Sequence, residues 1–441
     1  MAATIIMQRP ICRVSWSASG GSTGLTYPVP DAVNDLFVAT TGNDANLGTQ
    51  ASPLQTFSNT NLAKLSAAGH RRMWLRGGTY TPPATMTIPA GTSSNPIEIL
   101  AYPGETVTIN TNAVSTDGID LNGPTWVNFW GLTINAGNRG FNSVNVATIG
   151  TIGFYYLKGT KTANRGDNDG ILYFDSDNVN QNIDIKLCTF NSTAGSGNNS
   201  ALIYLSQVGN FNVVGCSLDG SNHPIYQKHD QASTTSSNQY TRVIKNNFIR
   251  NANENVMINM LGTVFSNNLL VSAGVYSGDS NGTVLNLAGN FVYDHNTFYG
   301  SGFDWFYKKS SCSLAPDQYV NQGSNVTNNV FAGTGIAMRF DSCDANEPSD
   351  IGFVSINRNL YKSDANTFDI FFTNTTFANW KTNFAFDVNS IQSGSITFGA
   401  GWSSGSTTPS DWGITGPSVA LTGSSTGGVI GVDTTKLLTV F

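Results

Sequence analysis

An all-β solenoid is the architecture this sequence predicts, and three observations predict it. A short phrase recurs along the chain at intervals close to one coil of such a fold. The segments around it alternate in polarity and are rich in β-branched and aromatic residues. Charged residues are scarce: Asp, Glu, Lys and Arg make up 11% of the 441 residues, against roughly 25% in ordinary soluble proteins.

The same composition excludes other classes. Helical solenoids and coiled coils need far more Glu and Lys. The 25 Phe, 15 Tyr and 8 Trp supply an apolar payload that a disordered chain lacks. No apolar run reaches the ~18 residues that cross a bilayer. Net charge is −6 with no basic stripe, which argues against nucleic acid as a partner. Five Cys, at 12, 188, 216, 312 and 343, show neither CxxC nor metal spacing and predict buried free thiols.

The repeat runs from about 185 to 362. Its phrases are IKLCTF, VGCSL, IKNNFI, FSNNLL, YDHNTF, VTNNVF and INRNLY, centred on Cys188, Cys216, Asn247, Asn268, Asn296, Asn329 and Asn359. Asn tolerates left-handed backbone angles, and its amide both donates and accepts. Stacked coil upon coil, these positions predict an amide ladder, with Cys188 and Cys216 as small buried substitutes. Looser coils precede it at 72–80, 97–109, 119–134 and 152–161. NTNLAKLSAAG (59–69) is the one helical stretch and predicts a cap. Three regions follow: an arm at 1–35, a solenoid at 36–390, and a Gly/Ser/Thr-rich β extension at 391–441 whose apolar end, KLLTVF, predicts a partner chain.

FVATTGNDANLGTQASPLQTF (37–57), WLRGGTYTP (74–82), GTSSNPIEILAYPGETVTI (91–109) and FANWKTNFAFDVNSI (377–391) together resemble right-handed parallel β-helix proteins of the pectate-lyase-like superfamily. That superfamily holds polysaccharide lyases, glycoside hydrolases, bacteriophage tailspikes and non-catalytic surface proteins, so the resemblance implies the fold and leaves the activity open. Its lyases carry clustered Asp for Ca²⁺ and a Lys or Arg base. The nearest acidic groups here, Asp167, Asp169, Asp175 and Asp177, read as turn residues and fall short of the six to eight oxygens Ca²⁺ takes. The resemblance leaves Ca²⁺ open, no motif supports it, and no other cofactor is expected.

Repeat register places a candidate site on one outer face. Alternation sends Ile225, Gln227, Val256, Ile258, Met338 and Phe340 inward. Tyr226, Lys228, Met257, Asn259, Phe306, Lys308, Arg339, Asp341, Asp369 and Phe371 then point outward. Strands about 4.8 Å apart would set Phe306 and Lys308 directly beside Arg339 and Asp341. Asp341, Asp304, Lys308 and Arg339 are the catalytic candidates; Tyr226, Lys228, Phe306, Asp369 and Phe371 are the substrate-binding ones. A hydrolase needs two carboxylates about 5–5.5 Å or about 6.5–9.5 Å apart, and Asp341 with Asp304 or Asp369 is the pair to examine, with Asp279 as a further carboxylate. His229 beside Asp230 offers an acid/base, His223 flanks the same strand, and His295 reads as a turn residue.

The start, MAATIIMQRPICRVSW, has no continuous apolar core and predicts no secretory signal. With the fold and the arm, this favours a virion-associated, tailspike-like protein that binds a cell-surface polysaccharide. In that reading the arm attaches to other virion proteins, and the likeness to tailspikes implies a homotrimer. The alternatives are a free polysaccharide lyase or glycoside hydrolase, outside the cell, and a non-catalytic adhesive spike.

Overall fold

The computed structural model describes residues 25–437 apart from 68, 113–116, 124, 145–149, 164–167, 176–180, 195–199, 229–239, 261, 278–289, 301, 310–322, 334–335, 343–354, 363–366, 371–372, 385, 395, 417–422 and 425–427. The chain winds through three 12-stranded sheets. One coil, for example, runs from Val127–Trp130 on sheet 1 to Thr133–Ala136 on sheet 2, then to Phe141–Val144 on sheet 3. Each strand pairs in parallel with its counterpart in the next coil. The one antiparallel pair among the named strands, Thr367–Ile370 with Thr373–Thr375, closes sheet 3. This is the predicted parallel β-helix.

A two-residue turn joins sheet 1 to sheet 2, and it explains the repeated phrase. Its first residue is left-handed in coil after coil: Gly131, Tyr156, Leu187, Gly215, Asn246, Asn267, His295, Asn328 and Arg358 all have φ between 51° and 80°. Its second residue points into the core and forms the ladder. The left-handed backbone expected of the ladder Asn therefore belongs to the residue before it. What selects Asn at the ladder position is bonding. Asn268 Nδ2 donates to Ile244 O at 3.0 Å and to Asn296 Oδ1 at 3.1 Å. Its Oδ1 accepts from Asn247 N and Nδ2. Asn247, Asn268, Asn296, Asn329 and Asn359 repeat this pattern at 0% exposure. A fully bonded amide satisfies buried backbone groups that no strand can reach. Cys188 and Cys216 continue the column as buried free thiols; Cys12, Cys312 and Cys343 lie outside the described residues.

Inward side chains fill the solenoid as one apolar column. At its start, the helices Asn59–Leu62 and Lys64–Ala67 cover the open coil, with Leu62 and Leu65 at 0% exposure. The GND phrase pins this cap. Asp44 accepts from the Gln55 and Thr56 amides, the Thr56 hydroxyl and Asn61 Nδ2. Burial opposes its ionisation, but these bonds outweigh burial and hold the carboxyl at about 2. A depressed carboxyl stabilises the fold above its unfolded value of about 3.9, and that contribution is lost as pH falls towards its folded one. Asp44→Ala should therefore show a shallower loss of melting temperature than the wild type between about pH 4 and pH 2. Parallel acid limbs in thermal melts would refute this role.

At the far end the helix Phe377–Phe384 closes the core with Trp380. The ladder terminates there on Asp387, which accepts from Asn359 Nδ2, Tyr361 OH, Trp380 Nε1 and Ser390 Oγ.

Two outer faces are covered by the chain itself. On sheet 1, Phe37, Trp74, Leu100, Trp130 and Tyr155 form an aromatic patch that Leu25 and Tyr27 pack against. Tyr27 OH donates to Ala101 O at 2.7 Å. So the part of the expected arm from Leu25 onward lies along the solenoid, and residues 1–24 are outside the described residues. On sheet 2, the C-terminal extension folds back as a strap. Trp412, Val432 and Leu437 pack on Phe248, Leu269 and Val271. Ile414 and Ile430 pack on Val330, Ala332 and Leu360. The apolar end expected to need a partner chain is thus buried within this chain as far as Leu437. Among the described residues no helix is long and apolar enough to cross a membrane.

Candidate functional site

Sheet 3 presents the third outer face. Leu172 and Phe174 point into the core, so Tyr173 between them points out. Register carries this position from coil to coil: Asn142, Tyr173, Tyr204, Tyr226, Met257 and Tyr276 stand in one row. The inward partners follow the expected alternation, with Ile225, Val256, Ile258 and Met338 in the core. Gln227 is also inward, and its Oε1 accepts from the Asn259 and Met260 amides.

The tyrosines of the row stack on one another. Ring centroids lie 4.6 Å apart for Tyr173 and Tyr204 and 5.1 Å for Tyr204 and Tyr226. Arg139 lies over the free face of Tyr173 at 3.7 Å, a favourable cation–π position. Tyr226 was expected to face solvent, but it is only 6% exposed. Inner members of such a stack have spent both faces on their neighbours and cannot lie flat under a sugar ring. Burial raises the phenols of Tyr173 and Tyr204, and each hydroxyl is engaged, by Asp175 and by Asn168 respectively.

Two residues further along each strand is a second outward row. Asp175, Ser206 and Lys228 are direct neighbours in register. At about 4.8 Å per strand, Asp175 and Lys228 are about 10 Å apart across Ser206. Both are partly exposed, and among the described residues no hydrogen bond or ion pair engages Lys228. The row therefore offers the Lys228 ammonium beside a stacked aromatic wall, with Ser206 buried and the Asp175 carboxylate accepting from Tyr173 OH. At the strand's entry, His223 Nδ1 donates to Asn255 O at 2.7 Å, and its Nε2 lies 3.2 Å from Glu254 Oε2. Burial lowers the affinity of His223 for a proton, partly offset by these two partners.

The other half of the expected strip comes out differently. Phe306 pairs with Phe340 and Tyr307 with Asp341, one position away from the expected pairing. Irregularities between Phe303 and Phe306 and between Tyr307 and Lys309 cause the slip, and one extra residue is enough to offset a row. Arg339 and Asp369 are direct neighbours. Their ion pair, at 3.1 Å, commits Asp369 to a cation. Asp304, Lys308 and Asp341 have backbones on sheet 3, but their side chains are outside the described part. Phe371, Asp279, His229, Asp230, Asp167 and Asp177 lie outside it altogether. Asp169 faces Lys161 in a buried pair at 2.7 Å. His295 is the turn residue expected, with φ 56°.

Among the described residues no group of three or more His, Cys, Asp or Glu is placed to hold a metal ion.

Three parallel sheets and an inward ladder at the turn between two of them define the architecture, and local sequence agrees with it. Over 88 residues the chain is 38% identical to the pectate lyase PEL9 of Emericella nidulans. The chain is a parallel β-helix with a local likeness to a pectate lyase. That match takes in 20% of this chain and 21% of the relative, so the chain spans about a fifth of the length of the curated protein it matches. No family model matches the sequence. Similar solved structures include a rhamnogalacturonan lyase, at 14% identity and TM-score 0.39, covering 67% of this chain and 87% of that one. A PL6 family alginate lyase, at 12% identity and TM-score 0.36, covers 92% and 58%.

Sequence reasoning singles out Tyr226 and Lys228 but not Tyr173, Tyr204, Ser206 or Arg139, and it reads Asp169 and Asp175 as turn residues where both lie on the strand Asp169–Asp175. The signal was present: ILYF, LIYL and PIYQ place Tyr at one position of three successive coils. It was overlooked because the ladder phrases used to set the register begin only at Cys188.

Proposed function

We propose that this protein binds an acidic polysaccharide along the outer face of sheet 3 and cleaves it by elimination. The observation that carries the reading is Lys228: an ammonium with no protein partner among the described residues, in a polar row beside a rigid tyrosine wall. A free cation on a glycan-sized face suits the carboxylate of a uronate. The local likeness to a pectate lyase supports the same substrate class. Hydrolysis would need two carboxylates within about 9.5 Å. Asp369 is held by Arg339 and stands seven strands, about 34 Å, from Asp175, so these two described carboxylates do not form such a pair.

The test is incubation of the purified protein with acidic plant, algal and bacterial-capsule polysaccharides and with neutral ones. Reducing ends and the absorbance of unsaturated products are followed. Unsaturated product from an acidic polymer is the expected result. Lys228→Ala should lower cleavage or binding about 10- to 100-fold, the worth of one charge-assisted hydrogen bond, with an unchanged melting temperature. Saturated product alone would make the protein a hydrolase. Binding without cleavage would make it an adhesive or virion-attached spike, and neither cleavage nor binding would remove the glycan reading.

A further inference from the structure

The strap over sheet 2 carries a second aromatic feature that the sheet 3 site does not use. Tyr299, Phe398, Trp402 and Trp412 form one cluster, with centroids 5.0–6.3 Å apart. Trp412 is fully buried, while Trp402 is 37% exposed. Phe398 stacks on Trp402 at 5.2 Å and 25°, and Tyr299 and Trp412 meet it at 74° and 87°. One indole face is therefore committed to Phe398, and the solvent-facing surface lies opposite.

The loop that presents Trp402 is fixed. Trp402 N donates to Gly399 O, and Gly399 N to Asp411 O. Ser403 N donates to Ser406 Oγ, and Trp412 Nε1 to Ser406 O. The same loop carries exposed residues with hydroxyls at Ser403, Ser404, Thr407 and Thr408. The Asp411 carboxylate lies so near the neighbouring backbone that a Cβ on Gly401 would meet its Oδ1 at 2.7 Å. Among the described residues no hydrogen bond or ion pair engages that carboxylate.

We propose that Trp402 and Asp411 form a second glycan site, distinct from the sheet 3 face, that takes a neutral sugar. A rigid, half-open indole covers the C–H face of a pyranose ring. A free carboxylate beside it accepts hydrogen bonds from ring hydroxyls, and it repels the carboxylates of a uronate chain. The two sites thus differ in charge: an ammonium on sheet 3, a carboxylate on the strap. Such a site would hold the protein on a neutral polymer while the other face meets an acidic one.

The experiment is affinity electrophoresis and intrinsic tryptophan fluorescence with xylan, galactan, mannan and mixed-linkage glucan, and with polygalacturonate and alginate. Four proteins are compared: wild type, Trp402→Ala, Trp402→Phe and Asp411→Asn. At least one neutral polymer should retard the wild type and shift its emission. Trp402→Ala should lose at least tenfold in affinity, Trp402→Phe should keep part of it, and Asp411→Asn should weaken it. Lys228→Ala should bind neutral polymers as the wild type does, which separates this site from the acidic-glycan reading. Thermal melts of the Phe variant guard against a folding defect. Retardation unchanged in Trp402→Ala, or no neutral polymer bound by the wild type, would overturn the proposal.

Discussion

Asp387→Ala is expected to cost about 3–5 kcal/mol of stability, because it leaves several buried donors without their acceptor at about 1–3 kcal/mol each. Asp387 is fully buried, and each of its oxygens accepts two hydrogen bonds. Tyr361 OH and Trp380 Nε1 donate to Oδ2, both at 2.8 Å. Asn359 Nδ2 and Ser390 Oγ donate to Oδ1. Removing the carboxylate takes the acceptor away from these buried donors. Asp387→Asn tests the geometry more finely. One oxygen becomes an amide donor, which the Trp380 N–H then faces, so a cost of about 1–3 kcal/mol is expected. Burial raises the Asp387 carboxyl above its ordinary value despite its donors. A raised folded value means that the folded state holds the proton more tightly, so wild-type stability declines as pH rises from the usual carboxylate range through that folded value. The Asn variant should lack this decline. Urea midpoints measured across pH read both effects, and an alanine variant within 1 kcal/mol of wild type would show that the ladder needs no such terminus.

Lys161→Ala should be comparably damaging. Lys161 and Asp169 face each other inside the solenoid at 2.7 Å, with side-chain exposures of 0% and 3%. Lys161 Nζ also donates to Ala163 O. Truncating the lysine leaves a carboxylate without its cation in a dry interior, at about 3–5 kcal/mol. Replacing both partners, Lys161→Met with Asp169→Leu, should be neutral or stabilising, because the pair has already lost its hydration. The comparison of single and double variants by urea denaturation decides the matter. A double variant as unstable as the single one would mean that the pair shapes the backbone around it instead of neutralising a charge.

Much of this fold was legible because a solenoid writes its period into the sequence. The ladder phrases located seven coils, and the cap at 59–69 showed as a helical stretch, but the closing helix Phe377–Phe384 did not. The alternation around Ile225, Val256 and Met338 placed the core correctly. Legibility failed where the period is broken. The irregularities around Phe303–Lys309 add residues with no compositional mark, and they offset Phe306 from Arg339 and Asp341. The strap was hidden for a different reason: its partners lie far away in sequence, so KLLTVF could be seen to need burial but not where. At the sheet 3 face, composition announced aromatic residues, yet only coordinates show that Tyr173, Tyr204 and Tyr226 stack on one another and leave Lys228 in the open row.

A bare solenoid touches only its nearest coils, so it can unravel from either end one coil at a time. The strap removes that freedom from the C-terminal half. Val432 N donates to Thr297 Oγ1 across 135 residues, and Asp433 N to Asn267 Oδ1 across 166. Coils from Phe248 to Leu360 are thereby clasped to a segment far later in the chain. Their amides should exchange with solvent together as one slow block, while the coils before Cys188 open separately. A chain truncated before Ile414 would lose that block and return to piecemeal fraying.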